Sequence, residues 1–131
     1  MDNIREIPVY LFTGFLESGK TKFIQETFED ERFNNGENTL LLVMEEGEEE
    51  YDESRFKVQN VSISYLDSIE ELNEENLASL QAMYGATRVL VEFNGMWQLE
   101  DFFKAMPEGW MINQVMTFFD ATTALNYNAN M

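Results

Sequence analysis

The segment VYLFTGFLESGKT, Val9–Thr21, contains the pattern that decides the fold. Its first part, Val9–Phe12, is short, apolar and rich in β-branched and aromatic side chains, which predicts a buried strand. Gly14–Thr21 then fits the pattern GxxxxGK[ST], and a helical pattern follows it. Strand, glycine-containing loop and helix are the context in which this pattern binds phosphate, so we predict a phosphate-binding loop (P-loop) here.

The residue types of this loop suit a triphosphate. Gly14 and Gly19 can adopt backbone conformations that other residues avoid, so main-chain N–H groups can approach the phosphates closely. The helix that begins near Gly19 would direct its positive dipole end at the anion. Lys20 would reach the β- and γ-phosphates, and the Thr21 hydroxyl would bind Mg²⁺. The expected ligand is a nucleoside triphosphate with Mg²⁺.

Composition narrows the function further. At 131 residues, 44% of them hydrophobic, the chain has the length of one domain, residues 1–131, with a substantial core. The net charge of −17 argues against nucleic acid or an anionic membrane as a partner. Cys and His are absent, so a metal would have oxygen ligands, which favours Mg²⁺. There is no signal-peptide pattern and no apolar run long enough to span a membrane, which predicts a cytoplasmic protein.

Strand and helix patterns alternate along the rest of the chain, which predicts a three-layer α/β fold with a mostly parallel sheet. The tail TTALNYNANM is polar and weakly patterned. Two helices should bury apolar stripes, made of Leu77, Leu80, Met83 and Tyr84 in one and of Leu99, Phe102, Phe103 and Met106 in the other. The later strands are predicted at Thr39–Met44, Val61–Leu66 (nearer an edge), Thr87–Phe93 and Met111–Phe119, and the helices at Thr21–Phe33, Glu74–Tyr84 (capped by Asn73 and Gly85) and Leu99–Met106.

Further polar residues should meet at the carboxyl ends of these strands, where ligands bind in open parallel sheets. Glu92 ends a strand and would act on Mg²⁺ directly or through water, and Gly95 would offer a backbone N–H to the γ-phosphate. The acidic run Glu45–Asp52 allows two interpretations. It is either a solvated, mobile loop or a switch-type loop in which Glu45 or Glu46 orients the attacking water or the hydrated Mg²⁺.

Together these residues resemble the CobW-like family of P-loop GTPases, whose third GTPase motif has Glu in place of the usual Asp. The family's P-loop typically has the sequence TGFLGSGKTT, and Thr13–Thr21 has the sequence TGFLESGKT. The family's acidic Asn-Glu-x-Gly-Glu-like segment is matched by Met44–Glu48, and its ExxG motif by Glu92–Gly95. Its Val-Asp-Ala on the fifth strand is similar to Phe119–Ala121.

The resemblance implies a P-loop NTPase fold of the SIMIBI class, with Mg²⁺-dependent GTP binding and slow hydrolysis coupled to metal delivery or metallocofactor assembly. A client metalloprotein would then be a partner. Glu92 would serve the Mg²⁺ or water site. The residues that would hold phosphates and Mg²⁺ are Gly14, Ser18, Gly19, Lys20 and Thr21.

The chain departs from the family pattern at three points. Glu17 replaces a Gly inside the P-loop, and its carboxylate would weaken triphosphate binding unless it points away or contacts Mg²⁺ or a neighbouring backbone. The family's Cys-x-Cys-Cys metal motif is absent. The guanine-reading Asn-Lys-x-Asp motif should lie on a later strand, so we expect an incomplete fold from the N-terminal part of a longer protein. A sheet that ends early would expose an edge strand and favour a homodimer.

Two alternatives stay open. Without a base-reading motif, an ATP-using P-loop kinase or small ATPase also fits, and competition between ATP and GTP would separate it from a GTPase. The second alternative is a degenerate, non-catalytic interaction module, which Glu17 and the acidic surface would suit. Its P-loop would bind only an inorganic anion, or nothing.

Overall fold

The computed structural model of the protein describes residues 6–14, 19–44, 50–120 and 123–128, with side chains described up to Phe118. Helices separate most of the first five strands, as the sequence pattern predicts, but the second and third strands are joined without an α-helix. Short 3₁₀ turns lie at Glu31–Phe33, Glu53–Arg55 and Ile69–Glu71. The elements are β1 (Ile7–Gly14), α1 (Lys20–Phe28), β2 (Thr39–Val43), β3 (Val61–Tyr65), α2 (Glu74–Tyr84), β4 (Arg88–Glu92), α3 (Leu99–Ala105), β5 (Trp110–Asp120) and β6 (Thr123–Asn128).

The described strands form one six-stranded sheet in the order β3-β2-β4-β1-β5-β6. β1 to β5 are parallel, with β1 between β4 and β5, and β2 between β3 and β4. β3 lies at the edge, as its alternating sequence predicts. β6 pairs with β5 in the antiparallel direction, and the weakly patterned tail did not predict this strand. Its pairing depends on the neighbouring strand more than on the β-propensity of its own residues.

Helices cover both faces of the sheet, which gives the three-layer α/β arrangement. Side chains alternate between faces along each strand, so Leu90 of β4 packs on the face that α1 covers, while Val89 and Val91 pack on the other. On the first face α1 buries Ile24 and Phe28 completely. On the opposite face the buried helical residues are Leu77 of α2 with Phe102 and Ala105 of α3. The central strands are buried on both faces, which explains their continuous apolar runs.

The predicted apolar stripes of α2 and α3 are only partly buried. Met83, Tyr84 and Phe103 are exposed by 68%, 40% and 47%, so their prediction as buried residues was wrong. Met83 lies about 120° around the helix from Leu77, at about 100° per residue, and Tyr84 is in the last turn before Gly85. α3 is short, and the side of the helix that carries Phe102 and Ala105 is the side that faces the sheet.

α1 ends earlier than predicted, at Phe28 and not at Phe33. The Asp30 side chain accepts a hydrogen bond from the Arg32 main chain at 2.9 Å and starts a separate 3₁₀ turn. Asp side chains compete in this way with helical hydrogen bonding. Phe33 then packs edge-on against Phe28, with ring centroids 6.0 Å apart, so it still contributes to the core on the α1 face.

Candidate functional site

The candidate site lies at the carboxyl ends of β1 and β4, the two adjacent strands at the centre of the sheet. The connection from β1 to β2 contains α1 and covers one face of the sheet. The connection from β4 to β5 contains α3, covers the other face and runs in the opposite direction. In open α/β sheets this reversal opens a crevice at the strand ends, and ligands bind there. Both Lys20 and Glu92 lie at this point of the fold.

Lys20 is the first residue of α1, and it is only 2% exposed. Its Nζ donates a hydrogen bond to the Gly14 carbonyl at 2.7 Å and lies 3.5 Å from the Phe93 carbonyl. The ammonium group therefore bridges the main chain at the ends of both central strands. A buried ammonium requires such polar partners, because its loss of hydration is costly. The arrangement concentrates positive charge at the N-terminal end of α1, where the helix dipole adds to it.

Gly14 and Gly19 shape the chain around Lys20. Gly19 precedes α1 with a φ of 100°, in the left-handed region that favours glycine. Gly14 ends β1 with a φ of 138°, and a Cβ added there would lie 2.2 Å from the Phe118 carbonyl oxygen of β5. Only glycine therefore allows β1 and β5 to approach so closely at the site.

Glu92 ends β4 and is also only 2% exposed. Its Oε2 accepts a hydrogen bond from the Thr21 hydroxyl at 2.7 Å, and its Oε1 accepts one from the Tyr51 hydroxyl. Mg²⁺ binds oxygen at about 2.0–2.1 Å in an octahedron, which places neighbouring ligand oxygens about 2.9 Å apart. The Thr21 and Glu92 oxygens have nearly this separation. One carboxylate and one hydroxyl also suit Mg²⁺, which keeps waters and substrate phosphates as its other ligands.

Tyr51 is a residue of the candidate site that sequence reasoning missed. Burial, the Glu92 charge and the hydrogen bond to Glu92 raise the pKa of the Tyr51 phenol well above its usual range. The phenol therefore remains a hydrogen-bond donor at neutral pH. The only sequence signal is its position, a single aromatic residue within an acidic run, between Glu50 and Asp52. Such a signal does not identify the residue that the tyrosine will contact.

The structure brings Gly14, Gly19, Lys20, Thr21 and Glu92 together at the strand ends. Gly95 lies in an exposed turn two residues after Phe93. Other predicted residues fall outside the described ones, namely Glu17, Ser18, Glu45 and Glu46.

Two further features concern metal binding and membrane insertion. Within the described residues, no group of three or more His, Cys, Asp or Glu side chains could hold a metal ion. The helices of the same ranges include none that is long and apolar enough to cross a membrane.

Comparison with known proteins identified no relative of this chain. No protein-family model matches the chain, and no match was found among the curated proteins or the solved structures. The activity of the chain must therefore be inferred from the residues and geometry of its site.

Proposed function

We propose that this chain is a Mg²⁺-dependent nucleotide-binding domain with the P-loop NTPase fold, and that it acts as a GTPase of the CobW-like type. The observation that carries the proposal is the buried Lys20 ammonium between the ends of β1 and β4, next to the Thr21–Glu92 pair. A lysine, a hydroxyl and a carboxylate in these positions match the chemical needs of a triphosphate with its Mg²⁺.

Lys20 would supply the charge that holds the phosphates. Among the described residues, its Nζ contacts two carbonyl oxygens. A β- or γ-phosphate oxygen is a stronger partner, because hydrogen bonds between charged groups are shorter and stronger than those to neutral ones. The main-chain N–H groups of the first turn of α1 would add donors aimed at the same anion.

Thr21 and Glu92 would hold Mg²⁺, Thr21 through its hydroxyl and Glu92 directly or through a bound water. The ion, when bound, supplies positive charge that neutralises the phosphate oxygens during phosphoryl transfer. Glu92 keeps its carboxylate at this position because β4 is buried on both faces and cannot shift without disturbing the core. The net charge of −17 repels nucleotide, so binding would depend on this local arrangement.

Three parts of the proposal rest on the sequence alone, through its motifs and its family resemblance. They are the preference for GTP over ATP, slow hydrolysis assisted by Glu45 and Gly95, and delivery of a metal to a client metalloprotein. The two alternatives, an ATP-using enzyme and a non-catalytic module, predict different results when the chain is titrated with GTP and ATP. We also propose a cytoplasmic location for the protein.

Isothermal titration calorimetry with GTP and ATP, each with and without Mg²⁺, tests the proposal. We expect binding of a triphosphate that tightens when Mg²⁺ is added, with GTP bound more tightly than ATP. Equal binding of both nucleotides, or a preference for ATP, would favour the ATP-using alternative. Binding of inorganic phosphate alone, or no binding, would contradict the proposed function.

Lys20→Met provides the first mutational prediction. Methionine keeps the length of the aliphatic stem and removes the charge. We expect triphosphate affinity to fall about 100-fold or more, because losing one partner of a buried charged pair costs about 3 kcal/mol. Lys22→Met is the matched control, since Lys22 is exposed on the same helix and should keep wild-type affinity. Similar affinities for the two variants would exclude Lys20 from the binding site.

A further inference from the structure

We propose that Tyr51 is a positioning residue for Mg²⁺ binding, and that Gln25 holds Tyr51 in place. The inference rests on the proposed function and adds to it two residues that the P-loop pattern does not contain. It identifies how residues 51–58, which begin at the end of the acidic run, are connected to the cation site. The supporting observations are the partners of the Glu92 carboxylate and the contacts between residues 51–58 and α1.

The two oxygens of Glu92 have different partners. Thr21 donates to Oε2 at 2.7 Å, and the Tyr51 hydroxyl donates to Oε1. A carboxylate that turns about its last side-chain bond has a broad range of orientations. Two donors on opposite oxygens limit that range, so Tyr51 fixes the plane in which Glu92 presents its lone pairs. Partners of this kind orient the ligands of a metal and raise its affinity.

Tyr51 is itself held by the core on the α1 face and by its neighbour in the chain. Its ring packs with Phe56 against the cluster that contains Phe28. Asp52 makes two main-chain hydrogen bonds to the Gln25 side chain, accepting from Nε2 at 3.0 Å and donating to Oε1 at 2.9 Å. These two bonds fix the backbone next to Tyr51.

One side of α1 makes all of these connections. Thr21, Gln25 and Glu29 are four residues apart, so they lie in one row along the helix. Thr21 bonds to Glu92, Gln25 bonds to Asp52, and Glu29 forms an ion pair with Arg55 at 3.3 Å. The helix that carries Lys20 into the site thus also carries the support for Tyr51. A shift of Tyr51 would change the position of the Glu92 carboxylate relative to Thr21, because both residues are attached to α1.

Tyr51→Phe tests the role of the hydroxyl, since the ring that fills the core is kept. The measurement is the Mg²⁺ concentration needed for half-maximal tightening of GTP binding, by calorimetry, with GTP affinity in EDTA as a second readout. We expect the apparent Mg²⁺ affinity to fall about 10- to 100-fold. GTP affinity in EDTA should stay within about twofold, a change of about 0.4 kcal/mol, because Lys20 is untouched. Tyr65→Phe, which removes the same atom from a half-exposed tyrosine, is the matched control and should behave as wild type.

Gln25→Ala tests whether Gln25 acts through Tyr51. We expect it to weaken Mg²⁺ binding less than Tyr51→Phe does, and to have no further effect in the Tyr51→Phe background. Fully additive effects would overturn the role given to Gln25. Equal Mg²⁺ affinity in wild type and Tyr51→Phe would overturn the role of Tyr51 alone. No Mg²⁺-dependent binding by the wild-type chain would overturn the proposed function and the role of Tyr51 with it.

Discussion

Lys20 and Glu92 are ionisable side chains, each 2% exposed, at the carboxyl end of the sheet. Burial of a charge costs free energy unless hydrogen bonds replace its hydration. Among the described residues, two carbonyl groups accept hydrogen bonds from Lys20, and two hydroxyl groups donate to Glu92. Buried charges are a weak source of stability. Their burial therefore favours a functional role over a purely structural one.

Gly14→Ala provides a prediction about stability at the residue scale. The added methyl group would overlap the Phe118 carbonyl oxygen, and the φ of 138° disfavours alanine. We expect the free energy of unfolding to fall by about 3 kcal/mol or more, from backbone strain and overpacking together. Urea unfolding followed by circular dichroism measures the change.

Gly36→Ala is the control for this prediction. Gly36 also has a positive φ, of 83°, but a Cβ there would meet no atom within 4 Å. Its cost should be the backbone strain alone, about 1–2 kcal/mol. If both variants lose the same stability, the close approach of β1 to β5 at Gly14 is not required for folding.

At the scale of elements, α1 organises the site. Its N-terminal end provides Lys20 and Thr21, one row of its side chains holds Asp52 and Arg55, and its apolar side packs on the sheet. The Phe28 carbonyl at its C-terminal end accepts hydrogen bonds from the main chain of Lys57 and Val58, at 2.8 and 3.1 Å. Segment 51–58 is thus attached along most of the helix.

The N-terminus of α2 gives a prediction about one element. Asn73 caps this helix by accepting a hydrogen bond from the Asn76 main chain at 2.8 Å, as the sequence predicts. Asn73→Ala should lower the free energy of unfolding by about 1 kcal/mol, because the cap is lost. Asn73→Ser, which keeps a capping oxygen, should stay within a few tenths of a kcal/mol of wild type. An equal loss in both variants would show that the Asn73 side chain does not stabilise α2 by capping it. Urea unfolding measures the free energy of unfolding of each variant.

At the scale of the whole molecule, charge is the dominant feature. The chain has 25 acidic and 8 basic residues, and two of its basic side chains, Lys20 and Arg88, are buried. The acidic residues outnumber the basic ones and repel one another across the surface, and this repulsion opposes the compact state. Dissolved salt screens charges that are exposed to solvent, with a Debye length of about 10 Å at 0.1 M and about 3 Å at 1 M.

Salt should therefore stabilise the protein. Raising NaCl from low concentration to about 0.5 M should raise the unfolding midpoint by roughly 3–5 °C, which corresponds to about 1 kcal/mol for a chain of this size. Differential scanning calorimetry at fixed pH measures the midpoint, and KCl at the same concentrations should give the same curve. A midpoint that stays constant or falls with salt would contradict dominant acidic repulsion.

Local sequence patterns determined most of the elements and part of the site. Glycine conformation, apolar runs and helix caps act over a few residues, so they can be recognised without knowing the fold. They predicted the parallel α/β arrangement, the edge position of β3 and the caps at Asn73 and Gly85. The phosphate-loop pattern and the strand end at Glu92 also predicted the group that the structure brings together, Gly14, Lys20, Thr21 and Glu92.

Other features were decided only by the tertiary structure. Thr21 and Glu92 are 71 residues apart, Tyr51 and Glu92 are 41 apart, and no local pattern specifies which side chains will meet over such distances. Arg88 is another example, because no local pattern specifies that its guanidinium lies 3.8 Å from the Phe33 ring centroid or that burial lowers the pKa of Arg88. The pairing of β6 and the exposure of Met83 also depended on which neighbours the fold supplied. Contacts between distant residues arise from packing, and packing is a property of the whole chain.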